Sequence, residues 1–211
     1  MSRGAKVIHF MAHKKRGKTF LIKKFLEAKV AQTGRGIVID PHGAEPAWNG
    51  PKYERLESID ELTPDFKGIK VLFYEEKKTF PQLWAMIQEH KLSKFPIVFD
   101  DLNAYAQTGM EDKQRVFFVL SRNKGIDILS TAHNWYETPR KIFGTIDVFV
   151  LGPTNSGPES RRDLFPSQEA YEAHRTWKEK ADAAGANLPE DRLWDHEWFT
   201  FGLNGEELKK L

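Results

Sequence analysis

The stretch that most constrains this chain is Lys6 to Phe25, KVIHFMAHKKRGKTFLIKKF. Val7 to Met11 is a short apolar run of strand character, a helix is predicted to begin near Lys18, and a basic loop must join them within a few residues. That loop, Ala12-His13-Lys14-Lys15-Arg16-Gly17-Lys18-Thr19, fits the phosphate-binding pattern GxxxxGK[ST] with alanine at the first glycine position. The order has a physical reason. Backbone N–H groups at a helix N-terminus point at an anion, and the helix dipole adds partial positive charge there. Gly17 lets the backbone approach, Lys18 is placed to reach β- and γ-phosphates, and the Thr19 hydroxyl is placed to ligate Mg²⁺. ATP and Mg²⁺ are therefore the expected cofactors, with Ala12 through Thr19 and the adjoining Phe20 lining the site. A basic turn between strand and helix is the plainer alternative, and the strand-before, helix-after context weighs against it.

A length of 211 residues suits one domain with a full core. Hydrophobic content of 40% and charged content of 29% describe an ordinary globular composition. No run of about 18 apolar residues occurs and no leader with an apolar core opens the chain, so neither membrane spanning nor secretion is indicated. The absence of cysteine excludes disulfides and thiolate metal sites. A cytoplasmic setting is expected. The formal net charge of only +2 means that any nucleic-acid contact must come from local basic patches. Such clusters lie at Lys14 to Lys24, already explained by phosphate binding, and at Arg161-Arg162, which reads more simply as solvated surface.

Beyond the loop, apolar runs alternate with helical spacing. Strands are predicted at Gly36 to Asp40, Ile69 to Glu75, Phe95 to Asp101, Ile126 to Thr131 and Thr145 to Gly152. Helices are predicted at Phe80 to His90, Lys113 to Asn123 and Ser167 to Ala181, the last with Ser167 as N-cap. Trp48 to Phe66 reads as turn-rich, with a short helix around Ile59 to Leu62. Trp198 to Leu203 followed by Asn204-Gly205 reads as a strand entering a terminal hairpin. Tyr171, Trp177, Trp194, Trp198 and Phe199 are either base-stacking aromatics or, as favoured here, residues packed against the sheet. The fold class expected is α/β: a P-loop NTPase of the additional-strand type. A mainly parallel sheet is flanked by helices, with an ATPase core over residues 1–155 and a helix-and-strand extension over 156–211.

Three strand ends carry further chemistry. Phe95 to Asp101, FPIVFDD, is an apolar strand ending in two acids roughly 80 residues after the loop, the Walker B arrangement. Asp100 is assigned to magnesium and Asp101 to the base that polarises the attacking water. Glutamate is commoner at that second position, and Asp101 is one methylene shorter. Asp40-Pro41-His42-Gly43 ends another strand, where open α/β sheets bind ligands, so Asp40 joins the nucleotide-binding candidates beside the reading of a simple turn. His133 follows the strand Ile126 to Thr131 and is placed to sense a γ-phosphate. Arg122, at the end of the preceding helix, either stabilises the helix dipole or reaches a neighbouring subunit's nucleotide.

Taken together, the loop Ala12 to Thr19, Asp40-Pro41-His42-Gly43, Phe95 to Asp101, and Ser121-Arg122-Asn123-Lys124-Gly125 leading to Ser130-Thr131-Ala132-His133 resemble the FtsK/HerA superfamily of P-loop ATPases in order and spacing. The DPHG element is similar to the HerA branch. His133 stands where that superfamily usually has glutamine. Short length and a core starting near the N-terminus are most similar to the genome-packaging ATPases of membrane-containing and related icosahedral viruses. The resemblance implies a homo-oligomeric ring, a pentamer or hexamer, that drives double-stranded DNA into a capsid through a vertex or portal protein. It also implies a place in the host cytoplasm or on the virion or procapsid. The alternatives are another motor of the superfamily (plasmid transfer, DNA-end processing, filamentous phage assembly), a P-loop small-molecule kinase, or a non-catalytic nucleotide-binding scaffold.

Overall fold

A computed structural model describes residues 4–43, 46–75, 78–106, 111–189, 192–193 and 195–208, without the side chains of residues 106 and 111–116. In chain order the strands are β1 (Val7–Met11), β2 (Arg35–Asp40), β3 (Tyr53–Leu56), β4 (Gly68–Phe73), β5 (Pro96–Phe99), β6 (Asp127–Ala132), β7 (Val148–Leu151) and β8 (Phe199–Gly202). The helices are α1 (Lys18–Thr33), α2 (Thr79–Glu89), α3 (Leu102–Ala106), α4 (Glu111–Asn123), α5 (Arg140–Phe143) and α6 (Gln168–Gly185). The strands form one sheet in the order β3-β4-β2-β5-β6-β1-β7-β8, and every pairing is parallel except that of β7 with β8.

The sheet is buried on both faces, as a parallel sheet covered by crossover helices must be. One face packs Val7, Met11, Ile37, Ile39, Ile97 and Phe99 with residues of α2, α4 and α6. The other packs Ile8, Phe10, Val38, Val98 and Leu129 against Ile22 and Leu26 of α1. Each strand therefore reads as a continuous apolar run, which is why the central ones are visible in the sequence. The β3 strand is not, because YERL has a half-exposed, partly charged pattern at the sheet's edge. It falls inside the segment expected to be turns, whose predicted short helix is a single 3₁₀ turn at Ile59–Glu61.

The C-terminal segment adds the antiparallel edge. Ser167 caps α6 by accepting from the Ala170 N–H at 3.1 Å. Trp177 stacks on Phe201 of β8 at 5.4 Å between ring centroids, and Tyr171 packs against Phe165. After β8 the chain turns through Asn204-Gly205, and Leu208 N–H donates back to Thr200 O at 2.9 Å, closing a short hairpin. Trp198 and Phe199 are half-buried against the same layers. Trp194 lies outside the described residues.

Two buried histidines brace this core. His9, in the middle of β1, is fully buried with its ring nitrogens 2.9 Å from Ser130 Oγ and 2.9 Å from Thr138 Oγ1. His174 of α6 donates from Nε2 to Leu203 O at 3.0 Å among Phe149, Phe165 and Phe201, and its Nδ1 has no partner. Burial pushes His9 down to about 3 and His174 down to about 4. Both values lie below the ordinary histidine value, so the unfolded chain binds more protons than the folded one. Stability is complete above about pH 6.5 and is expected to fall by about 2 kcal/mol per histidine between pH 6.5 and 5, above most carboxylate titration. Urea unfolding across that window measures it. His174→Phe is expected to remove its share of the slope, and flat stability would contradict the assignment.

Candidate phosphate-binding site

The loop after β1 is built around Lys18. Gly17 caps α1 in the left-handed region with φ 82°, and Lys15 shares that region at φ 62°, so the chain reverses tightly and enters the helix at Lys18. The Lys18 side chain curls back under the loop it follows and is only 6% exposed. Its ammonium donates to Ala12 O at 2.6 Å, to His13 O at 3.2 Å and to His133 Nδ1 at 2.8 Å. Burial lowers the Lys18 pKa to about 8, against the pull of Asp100, Asp101 and Glu137. Burial, with Lys18⁺ adding to it, also lowers the His133 pKa. The pair is thus an ammonium donating to a neutral imidazole.

Two acids face this cation. Asp100, 9% exposed, accepts from Thr131 Oγ1 at 2.8 Å and from Trp48 Nε1 at 2.7 Å. Asp101 sits at φ 48°, a left-handed conformation that aspartate tolerates better than most residues. Its N–H donates to Thr131 Oγ1 at 2.7 Å, its Oδ2 lies 3.3 Å from His42 Nε2, and its buried Oδ1 has no partner. Thr131 therefore holds both acids, because β6 lies beside β5. Glu137 takes the His133 N–H at 2.8 Å and the Asn134 amide at 3.2 Å, which fixes the turn after β6.

The loop's outer side is tied to the C-terminal segment. Arg16 donates to Gly185 O at 3.2 Å and Leu193 O at 3.4 Å, while its own carbonyl accepts from His196 Nε2 at 3.0 Å. Gly152, at the end of β7, leaves room for the Ala12 methyl and the His196 ring: a Cβ there would lie 3.1 Å from one and 2.5 Å from the other. Alanine at the loop's first position is accommodated by a glycine on the neighbouring strand.

Other sequence candidates are placed differently. Lys14 and Lys15 are exposed, Thr19 is half-exposed in the first turn of α1, and Phe20 is 61% exposed with Lys24 over its ring. Asp40 is fully buried. Its carboxylate accepts from Arg55 Nη1 at 3.1 Å and from the His42 N–H at 3.0 Å, which shapes the Asp40-Pro41-His42-Gly43 turn. Arg122 lies at the opposite edge of the sheet, paired with Asp147 at 2.9 Å and donating to Thr145 O. A cavity of about 790 Å³ opens at that far edge, rimmed by Lys6, Lys24, Lys94 and Arg122, and it is separate from the phosphate loop. Sequence reasoning missed Trp48, Arg55, Glu137 and His196, none of which belongs to a spaced motif.

An incoming phosphate fits this arrangement. It would supply the counter-charge that the buried Lys18 ammonium lacks. Among the described residues no group of three or more His, Asp or Glu side chains is placed to hold a metal ion by itself. Mg²⁺ on a nucleotide asks for only one or two protein ligands, the rest being water and phosphate oxygens, and the half-exposed Thr19 hydroxyl and Asp100 carboxylate suit that demand.

No protein-family model and no curated protein sequence matches this chain. Solved structures do. The genome packaging NTPase B204 from Sulfolobus turreted icosahedral virus 2, in complex with sulfate, is 18% identical with a TM-score of 0.63 over 98% of this chain and 96% of that one. The same NTPase in complex with AMP gives 16% and 0.65 over 98% and 97%. VirB4 of Thermoanaerobacter pseudethanolicus is 12% identical with a TM-score of 0.55 over 78% of this chain and 82% of that one. The fold is that of B204. The similarity extends through the C-terminal segment in the B204 comparison, and the fold expected from the motifs is the one these structures carry.

Replacing Gly152 with alanine is expected to push His196 off the Arg16 carbonyl and crowd Ala12, at a cost of about 1–3 kcal/mol. Thermal unfolding and pyrophosphate affinity, measured together, check it. Wild-type values for both would show that Gly152 is not what seats the loop.

Proposed function

We propose that this chain is an ATPase of the genome-packaging kind, hydrolysing ATP at the loop Ala12 to Thr19. The observation that carries the proposal is the buried Lys18 ammonium facing Asp100 and Asp101, with one threonine holding both acids. The B204 likeness over nearly the whole chain supports the packaging reading.

In this mechanism the N–H groups from His13 to Thr19 and the side chain of Lys18 bind the phosphates, while Phe20 borders the nucleotide. Lys18 leaves the Ala12 and His13 carbonyls and follows the developing γ-phosphate charge. Thr19 and Asp100 would hold Mg²⁺, which would supply charge neutralisation to the phosphates. Asp101, through the free Oδ1, accepts a proton from the attacking water and orients it in line. His133, released when Lys18 moves, reads the presence of the γ-phosphate. Asp40 acts on the nucleotide through the turn it anchors. Chains assemble as a ring, a pentamer or hexamer, in which Arg122 exchanges Asp147 for a neighbour's nucleotide.

The ring grips double-stranded DNA by its phosphates, without base readout, and docks on a capsid vertex or portal in the host cytoplasm or on the virion. Among the described residues no helix is long and apolar enough to cross a membrane. The extension over residues 156–211 works with the core as one unit, since it holds Arg16. A second reading is another motor of the same superfamily, with the VirB4 fold shared over 78% of this chain.

Steady-state ATP hydrolysis with and without linear double-stranded DNA tests this. Lys18→Ala is expected to lower turnover by about 100-fold or more. DNA stimulation is expected to fade between about 50 and 200 mM salt. Equal turnover in Lys18→Ala would overturn the ATPase, and hydrolysis indifferent to DNA would overturn the translocase.

A further inference from the structure

We propose that Trp48 is a positioning residue for Asp100, and that with Thr131 it forms a two-sided clamp setting how well that carboxylate takes a nucleotide-bound divalent cation. The inference rests on the reading of Asp100 as the metal-side acid.

Trp48 is fully buried on the 3₁₀ turn Pro46–Trp48, in a stretch with no recognisable motif. An indole has one N–H to give, and when buried it must find an acceptor. Here it is given to a carboxylate, Asp100 Oδ2 at 2.7 Å, while Thr131 Oγ1 gives to Oδ1 at 2.8 Å. The two donors come from different elements, one from the segment after β2 and one from β6. A donor on each oxygen fixes the plane of the carboxyl group in a site that is 9% exposed.

The turn is itself held by α1, the helix that begins at the phosphate loop. Lys23 Nζ donates to Ala47 O at 2.5 Å. Tyr53 packs edge-on against the Trp48 ring at 5.7 Å, and its hydroxyl donates to Glu27 Oε1 at 2.7 Å. Trp48 therefore links the phosphate-binding helix to the acid that the metal requires. Partners behind a metal ligand typically matter by 10–100-fold in affinity.

The test compares the affinity of a fluorescent, non-hydrolysable ATP analogue with Mg²⁺ and with EDTA, the ratio being the gain due to metal. Trp48→Phe is expected to reduce that gain by about tenfold, with affinity in EDTA unchanged, and Asp100→Asn to abolish it. Thr131→Val is expected to act like Trp48→Phe and Thr131→Ser to restore the gain. If Asp100→Asn loses the gain and Trp48→Phe keeps it, the clamp is wrong and the metal assignment stands. If Asp100→Asn keeps the gain, or wild type has none, the metal assignment fails and takes the clamp with it. Should Trp48→Phe not fold, the threonine pair decides: a full gain in Thr131→Val overturns the clamp.

Discussion

A single buried ammonium organises the site. Lys18 hydrogen-bonds to Ala12 O, His13 O and His133 Nδ1, no carboxylate among the described residues pairs with it at ion-pair distance, and burial lowers its pKa to about 8. Carbonyls and a neutral imidazole hold a cation less well than an anion does. The loop is thus wound around an unmet charge requirement that a phosphate satisfies. This explains why Gly17 and Lys15 adopt left-handed backbone, since only that reversal returns the helix's first side chain beneath the loop. Burial, with Lys18⁺ beside the ring, likewise holds His133 below the ordinary histidine value.

Everything else that the site needs follows from strand order. Because β1 lies between β6 and β7, with β5 and then β2 beyond β6, the ends of five strands deliver Lys18, His133, Gly152, the two acids and Asp40 to one edge. Thr131 bonds both acids only because β5 and β6 are neighbours in register. The last strand and helix serve the same edge from outside, through Arg16, Gly185, Leu193 and His196.

Much of this was legible in the chain. Parallel strands buried on both faces leave apolar runs, so six of the seven parallel strands and the loop, acids and histidine at their ends are visible to within a few residues. The β3 strand is hidden because its edge position lets Glu54 and Arg55 face solvent and the Asp40 turn, erasing the pattern. Asp40 reads as a ligand-side acid, yet its carboxylate is occupied by Arg55 and the His42 N–H, contacts that depend on that unseen strand. Trp48 and Glu137 are invisible for a related reason. Their roles come from tertiary proximity to Asp100 and His133 and leave no spacing in the sequence.

The central claim is that Lys18 is a buried cation waiting for phosphate, and the direct measurement is an NMR titration of its ammonium, assigned by comparison with Lys18→Arg, with and without a non-hydrolysable ATP analogue. The account predicts a titration near pH 8 in the free protein that moves upward by at least about one unit when nucleotide binds. An ordinary lysine value in the free protein, or a value that nucleotide leaves unmoved, would contradict it.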